Sequence, residues 1–251
     1  TDKQGLWIGT INNDPIGTIA GVRYNSSYGF IGLFIVQKQY RGKGYGLKLW
    51  QHALDHLSDV KCIGLEAAPD RVYDYSTWGF KKSSYTTRWR WEGSDNLLDQ
   101  INFSIEDLNG VSLLEGDSIP KHLVQSYDAN RETSPRPHFL SDWLNHPAGN
   151  VLALIDDNSF CHGFGRIRPC LLNRGKGWRI GPLIADTPFL AEVLLRGLVD
   201  RHPGIVFIDS PGLNPFAELL INRLGFKKHS ETLRMYKGTQ PKILMTNVYG
   251  L

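Results

Sequence analysis

The sequence predicts an α/β (α+β) fold present twice in tandem, each copy a mixed, mostly antiparallel sheet flanked by helices. Three observations carry that expectation. At 251 residues the chain exceeds one ordinary domain. An internal repeat places Gly79-Phe80-Lys81-Lys82-Ser83-Ser84-Tyr85-Thr86-Thr87-Arg88 over Gly225-Phe226-Lys227-Lys228-His229-Ser230-Glu231-Thr232-Leu233-Arg234 without a gap, identical at seven of ten positions. The offset of 146 residues is far longer than a solenoid period and suits one whole domain. Finally, each copy of the repeat is preceded by the same succession of features. Apolar Cys62-Ile63-Gly64-Leu65 leads through Glu66 and Pro69 into a short helical stretch from Asp70 to Trp78. Apolar Ile205-Val206-Phe207-Ile208 leads through Asp209 and Pro211 into a helical stretch from Pro215 to Leu224.

In the first copy, Leu6-Trp7-Ile8, Ile16 to Val22 and Tyr28 to Val36 read as three strands of an antiparallel meander, the first two parted by the turn residues Asn12-Asn13-Asp14-Pro15. Gly46 to Leu57 follows as a helix with Leu47, Trp50, Leu54 and Leu57 on one apolar face, so Trp50 is expected in the core. In the second copy a strand at Phe103-Ser104-Ile105, a helix from Ser118 to Tyr127 with Pro120 in its first turn, and a helix from His138 to Leu144 come before the meander at Val151 to Ile155. These three elements have no counterpart ahead of the first meander, so the first copy is expected either to begin inside its domain or to be a shortened domain. Arg174-Gly175-Lys176-Gly177 reads as a hairpin turn, and Arg234-Met235-Tyr236 and Ile243-Leu244-Met245 as closing strands. A linker from Gly93 to about Gln100 divides the chain into domains 1–95 and 101–251.

Composition excludes several classes. With 41% hydrophobic, 21% charged and 11% aromatic residues the chain can bury a core and is not a disordered or fibrous protein. No apolar run reaches the roughly 18 residues of a membrane-spanning helix, no basic amphipathic membrane helix stands out, and Thr1-Asp2-Lys3-Gln4 does not open an export signal. Three cysteines, Cys62, Cys161 and Cys170, cannot form a disulfide framework, which points to a reducing, cytoplasmic setting. The formal charge of +3 is spread along the chain and suits a polyanionic small ligand as well as nucleic acid. Trp89 and Trp91 alternate with Arg88 and Arg90, a pattern explained by a strand with one aromatic face in the core, so no nucleic-acid partner is expected. His52 and His56 have metal-ligand spacing on a helix, but no third ligand is evident; a solvated helix face and no metal are expected.

The stretch from Val36 to Leu47 carries the chemistry. An apolar strand feeds a turn containing Arg41, Gly42, Lys43, Gly44, Tyr45 and Gly46, which opens directly into the amphipathic helix. Glycines admit close approach of a ligand to the backbone, the unpaired N–H groups of the first helical turn point outward, and the helix dipole adds partial positive charge. The G-x-G-x-x-G and Walker patterns are absent, so the expected anion is a pyrophosphate on something other than NAD or a P-loop nucleotide.

Arg41-x-x-Gly44-x-Gly46 after a strand resembles the acetyl-coenzyme A motif of the GNAT superfamily of N-acetyltransferases, and Tyr75-Ser76-Thr77-Trp78-Gly79-Phe80 is similar to that family's Y-x-x-x-G-F. The likeness covers residues 5 to 93, and the second copy resembles the C-terminal half of tandem GNAT proteins. It implies that backbone groups of Phe34, Ile35 and Val36 bond the pantetheine arm, and that Tyr75 protonates the leaving thiolate. An amine attacking a thioester needs orientation, polarisation of the carbonyl and a proton for sulfur, with no covalent enzyme intermediate. Tyr75 is therefore either the acid or a core aromatic. Glu66 either takes a proton from the attacking amine or makes a structural hydrogen bond, as the matching Asp209 suggests. The acceptor expected is a small-molecule or peptide amine; a non-catalytic acyl-coenzyme A binder and a transferase of longer acyl or aminoacyl groups are the alternatives. Two departures stand out. Ala68, Pro69 and Asp70 occupy the place where the family has an asparagine. In the second copy the loop at Ile184-Ala185-Asp186-Thr187-Pro188-Phe189 lacks glycine, carries an acid where phosphate would bind, and is joined by Ile221 at the Tyr75 position. That copy is expected to be silent.

Overall fold

Hydrophobic alternation in the first strands and a 3.6-residue period after Gly44 dictate the first layer of structure. The computed structural model describes residues 2–93, 108, 110–131, 136–172, 174–240 and 244–251. Among them the chain gathers into two compact units whose membership interleaves: one takes residues 2–83 and 233–240, and the other takes the described residues of 84–131, 137–232 and 244–251. The expected linker beyond Gly93 and the strand at 103–105 lie outside the described residues.

In the first unit, β1 (Leu6–Ile11), β2 (Asp14–Arg23) and β3 (Gly29–Val36) form the antiparallel meander. Helix α1 (Tyr45–His56) crosses over to β4 (Cys62–Ala67), which lies parallel to β3. A short 3-10 turn (Pro69–Arg71) and helix α2 (Val72–Thr77) follow, dividing the single helical stretch expected from Asp70 to Trp78. The sheet is completed by the last residues of β11 (Lys227–Gly238), with Leu233 opposite Ala67 and Gly238 opposite Cys62. Trp50, Ala53, Leu54 and Leu57 bury one stripe of α1 against Ile19, Ile31, Leu65 and Met235.

The second unit starts within β5 (Lys81–Trp91), followed by β6 (Val111–Glu115), α3 (Lys121–Ala129), α4 (Pro137–Asn145), β7 (Asn150–Asp156), β8 (Cys161–Cys170) and β9 (Gly177–Ala185). Then come α5 (Pro188–Asp200), β10 (Ile205–Pro211), α6 (Pro215–Arg223) and β12 (Val248–Gly250). Strand order is β6-β7-β8-β9-β10-β5, with β9 and β10 parallel and the other neighbours antiparallel. β7 is apolar from Val151 to Ile155 because both its faces are covered. Leu152 and Leu154 meet the α5 side, whereas Val151, Ala153 and Ile155 meet Val124, Tyr127, Leu140 and Leu144 from α3 and α4. Trp89 and Trp91 are buried in the α5-side core, as their alternation predicts, and β8 and β9 pair as the arms of the expected hairpin.

Three expectations are corrected. Pro120 precedes α3 as its N-cap residue, and a 3-10 turn occupies Gly116–Ser118, because proline's fixed φ suits the approach to the helix. No strand runs through Leu244 and Met245: Met245–Asn247 is a 3-10 turn and the strand is Val248–Gly250, set by polar anchoring of Thr246 and Val248. The face carrying His52 and His56 is solvated only at His52, which is exposed, while His56 is half-buried. Both rings meet the edge of Trp7, and His56 Nε2 lies 2.7 Å from Asp2 Oδ2, because β1 packs on that side of α1.

Candidate active site

The site begins where two parallel strands part. β3 and β4 pair only from Gly29–Ile63 to Ile31–Leu65, yet β3 runs on to Val36 and β4 to Ala67. On its other side β3 stays bonded to β2 as far as Val36 opposite Gly17, through a register shift between Thr18 and Ala20. Leu33 sits there with φ 50°, and its carbonyl accepts a 2.8 Å hydrogen bond from Thr18 Oγ1. A left-handed leucine costs about 1–3 kcal/mol and marks a bulge that bends β3 away from β4. The backbone edge from Gly32 to Val36 is thereby left without a strand partner on the β4 side.

The loop after β3 is shaped by its glycines. Gly42 and Gly44 have φ 72° and 83°, and a Cβ at either would project into open space. Gly44 is the N-cap of α1; Lys48 N–H makes the first bond of the helix, to Gly44 O at 3.2 Å. The N–H groups of Tyr45, Gly46 and Leu47 therefore have no intrahelical acceptor. Arg41 Nε donates to Val36 O at 2.8 Å, tying the loop to the end of β3, and the Arg41 side chain remains exposed. Lys43 lies over the Tyr40 ring at 5.8 Å.

A cleft of about 650 Å³ brings most of the expected residues together. Phe34, Ile35, Val36, Arg41, Gly42, Gly44, Gly46 and Tyr75 line it; Lys43, Tyr45 and Glu66 do not. Its floor is aromatic. The Trp50 ring lies 5.7 Å from Phe34, 5.3 Å from Tyr75 and 6.1 Å from Trp78. Tyr75 is half-buried on α2, and burial pushes its phenol above the ordinary value, a tendency Asp74 and Asp70 reinforce and Arg71 opposes. Such a phenol keeps its proton at neutral pH and can give it to a stronger base. Sequence reasoning missed Trp50 and Trp78 as cleft residues, since helical periodicity marks a buried face without saying that a cleft opens beside it. It also missed Arg71, which lines the wall with Asp70 and Asp74 and pairs with Asp74 at 3.2 Å.

Glu66 is engaged elsewhere. Its carboxylate accepts from Arg234 Nε at 2.5 Å, and the Arg234 guanidinium lies 5.1 Å from the Phe30 ring. The repeat partners do the same in the second unit: Asp209 receives Arg88 at 2.7 and 2.8 Å and also Arg179. The second unit's counterpart of the glycine loop is closed by polar contacts around Asp186, which Tyr127 Oη reaches at 2.9 Å, His162 Nδ1 at 3.1 Å, and Arg131 by an ion pair. Ile221 is fully buried where the first unit has Tyr75. Among the described residues no group of three or more His, Cys, Asp or Glu side chains is arranged to hold a metal, and no helix is long and apolar enough to cross a membrane.

A splayed parallel pair, a glycine loop capping the next helix and a tyrosine in one cleft define a fold class that comparison with known proteins identifies. Residues 124–250 match the acetyltransferase (GNAT) domain family and residues 1–78 the acetyltransferase (GNAT) family, so the chain belongs to the GNAT acetyltransferase superfamily, in its tandem form. Its relatives include holothin acyltransferase from Pseudoalteromonas sp. (strain SANK 73390), 28% identical over 244 residues that make up 96% of this chain and 77% of that protein. A solved structure from Pyrococcus horikoshii is similar with a TM-score of 0.79 at 23% identity, covering 100% of this chain and 79% of the other. A tandem GNAT protein from the clavulanic acid biosynthesis pathway gives 0.68 at 14% identity, covering 94% and 83%. At those identities the likeness to the two structures is one of fold.

Proposed function

We propose that the first unit transfers an acetyl group from acetyl-coenzyme A to a primary amine of a small molecule or peptide. The observation that carries this reading is the coincidence, in one cleft, of an unpartnered strand edge, a cationic glycine loop and a protonated tyrosine. The residues suit the donor: unpaired N–H groups at the start of α1, with Arg41 beside them, match a diphosphate, and the open edge from Gly32 to Val36 matches the amides of an extended pantetheine arm. Acetyl-coenzyme A, when bound, supplies the thioester carbonyl as electrophile. Backbone N–H groups of the β3 edge polarise that carbonyl oxygen, and the loop holds the donor in line for attack. As the carbon–nitrogen bond forms and the carbon–sulfur bond breaks, Tyr75 Oη gives its proton to sulfur, and the proton shed by the amine passes to water. Glu66, tied to Arg234, serves this reaction by holding β4 and β11 together. The free thiols of Cys62, Cys161 and Cys170 suit a reducing, cytoplasmic setting.

A second reading keeps the chemistry and changes the acyl group. The relative's name specifies an acyl, not an acetyl, transferase, and it favours catalysis over mere binding. Thiol release measured with acetyl-coenzyme A and with longer acyl-coenzyme A donors, against a panel of amines, amino acids and peptides, separates the two. Donor binding without thiol release for any pair would leave the non-catalytic reading.

A further inference from the structure

The second unit fills the groove that the first unit leaves open. β9 pairs with β10 only from Gly177–Ile205 to Ile180–Ile208 and then diverges, as β3 does from β4 after Ile31. In the first unit the edge so exposed faces the cleft. In the second, Val248 pairs with Ile184 and Gly250 with Leu183, and Leu251 N–H donates to Asp209 O at 2.9 Å. Residues 248–251 are thus strung between the diverging strands.

Asn214 grips this segment from the opposite side. Its Oδ1 caps α6 by accepting from Phe216 N and Ala217 N, while its Nδ2 donates to Thr246 O at 3.1 Å and Val248 O at 2.9 Å. The side chain is fully buried, as is that of Tyr249, the centre of the strand. By the repeat offset of 146, Asn214 corresponds to Ala68, which lines the cleft of the first unit. The two grooves therefore share a plan, and the one that retains the carboxamide donor uses it on the protein's own backbone.

We propose that residues 245–251 are an internal ligand of the second unit, a peptide strand clamped between the β9 edge and Asn214 in the counterpart of the donor cleft. Likening this groove to a donor site rests on the function proposed above; the clamp itself does not. A peptide suits the slot because it presents alternating N–H and C=O groups along an extended chain, and the apolar walls take an aromatic residue at its centre. One acyl donor is bound per chain as a result, and the second groove is a site for an extended peptide.

Hydrogen exchange on the intact chain tests the clamp. Asn214→Asp keeps the helix cap and replaces the amide donor with a carboxylate oxygen that faces the Thr246 and Val248 carbonyls. It is expected to speed exchange at residues 183–185 and 248–251 at least tenfold, with residues 62–67 of β4 unaffected. Unchanged exchange at 248–251 would overturn the proposal. A synthetic peptide of residues 244–251, added to chain lacking them, is expected to restore protection of residues 183–185, and the same peptide carrying Tyr249→Asp is not. Failure of the parent peptide to protect a folded deletion variant would also overturn it; if that variant does not fold, the Asn214→Asp result decides. Calorimetry with acetyl-coenzyme A is expected to give one site per chain, and two would count against the clamp. No binding at all would remove the proposed function and leave the exchange result to judge the clamp.

Discussion

In the proposed reaction, Tyr75 and Gly44 are the residues on which the chemistry turns. Tyr75→Phe keeps the ring against Trp50 and removes the proton, so kcat is expected to fall roughly 100-fold or more while the calorimetric affinity for acetyl-coenzyme A stays within about twofold. Gly44→Ala forces an L-residue to φ 83° at the mouth of the anion site, at about 1 kcal/mol. Donor affinity is expected to drop about tenfold or more, and loss of stability without loss of affinity would show that the loop does not hold the donor. Glu66 separates two roles. Arg234 is half-buried, and the Glu66 carboxylate holds its guanidinium above the ordinary value against the desolvation. Removing either partner strands a charge, so Arg234→Ala and Glu66→Gln are both expected to destabilise by about 3 kcal/mol in chemical unfolding. A structural role predicts no altered pH–rate profile in Glu66→Gln; loss of the acidic limb would make Glu66 the base. Tyr75 was legible because it sits in a contiguous motif, whereas the partner of Glu66, 168 residues away, was not.

Among the elements, the junction of β3, the glycine loop and α1 could be read in order along the chain, since each depends on local backbone needs: alternation, positive φ, and a helix start. The turn before α2 could be read only in part: the sequence marks an asparagine missing across Ala68 to Asp70, and Asn214 singles out Ala68 among them. Ala68→Asn is expected to tighten acetyl-coenzyme A binding roughly fivefold, the effect of one added hydrogen bond of about 1 kcal/mol, as measured by calorimetry. At the start of α5, His162 bridges Asp186 and Asp156, with both contacts at 3.1 Å. Burial lowers its pKa, but the hydrogen bonds to the two aspartates outweigh that and leave it above 6.5. The stabilisation is therefore complete below about pH 6.5 and is lost as pH rises through the elevated folded value. The Tm difference between the parent and His162→Gln is expected to be largest in mild acid and to shrink through neutral and alkaline pH. A difference that grew with pH would contradict a charged bridge.

For the whole molecule, the decisive feature is an exchange of strands. Residues 86–91, encoded with the first copy, pair with β10 in the second unit, and residues 233–238, encoded with the second, pair with β4 in the first. The arginines at repeat positions 88 and 234 travel with them, so Arg88 meets Asp209 and Arg234 meets Glu66. Fragments 1–95 and 101–251 each lack a strand of the unit they otherwise build. Neither is expected to unfold cooperatively alone in denaturant titration, and mixing them is expected to restore the transition; a cooperative 1–95 fragment would contradict the exchange.

The sequence by itself determined the α/β class, the duplication and the glycine loop that opens into a helix, because strand period and positive-φ glycines act over a few residues. Only the tertiary structure decided which strand completes which unit, that Glu66 belongs to Arg234, that Trp50 floors a cleft, and that residues 248–250 form a strand at all. All but the Trp50 floor depend on a backbone edge or a charge finding its partner across more than thirty residues of chain, and an edge or a charge carries no local mark of which partner will satisfy it.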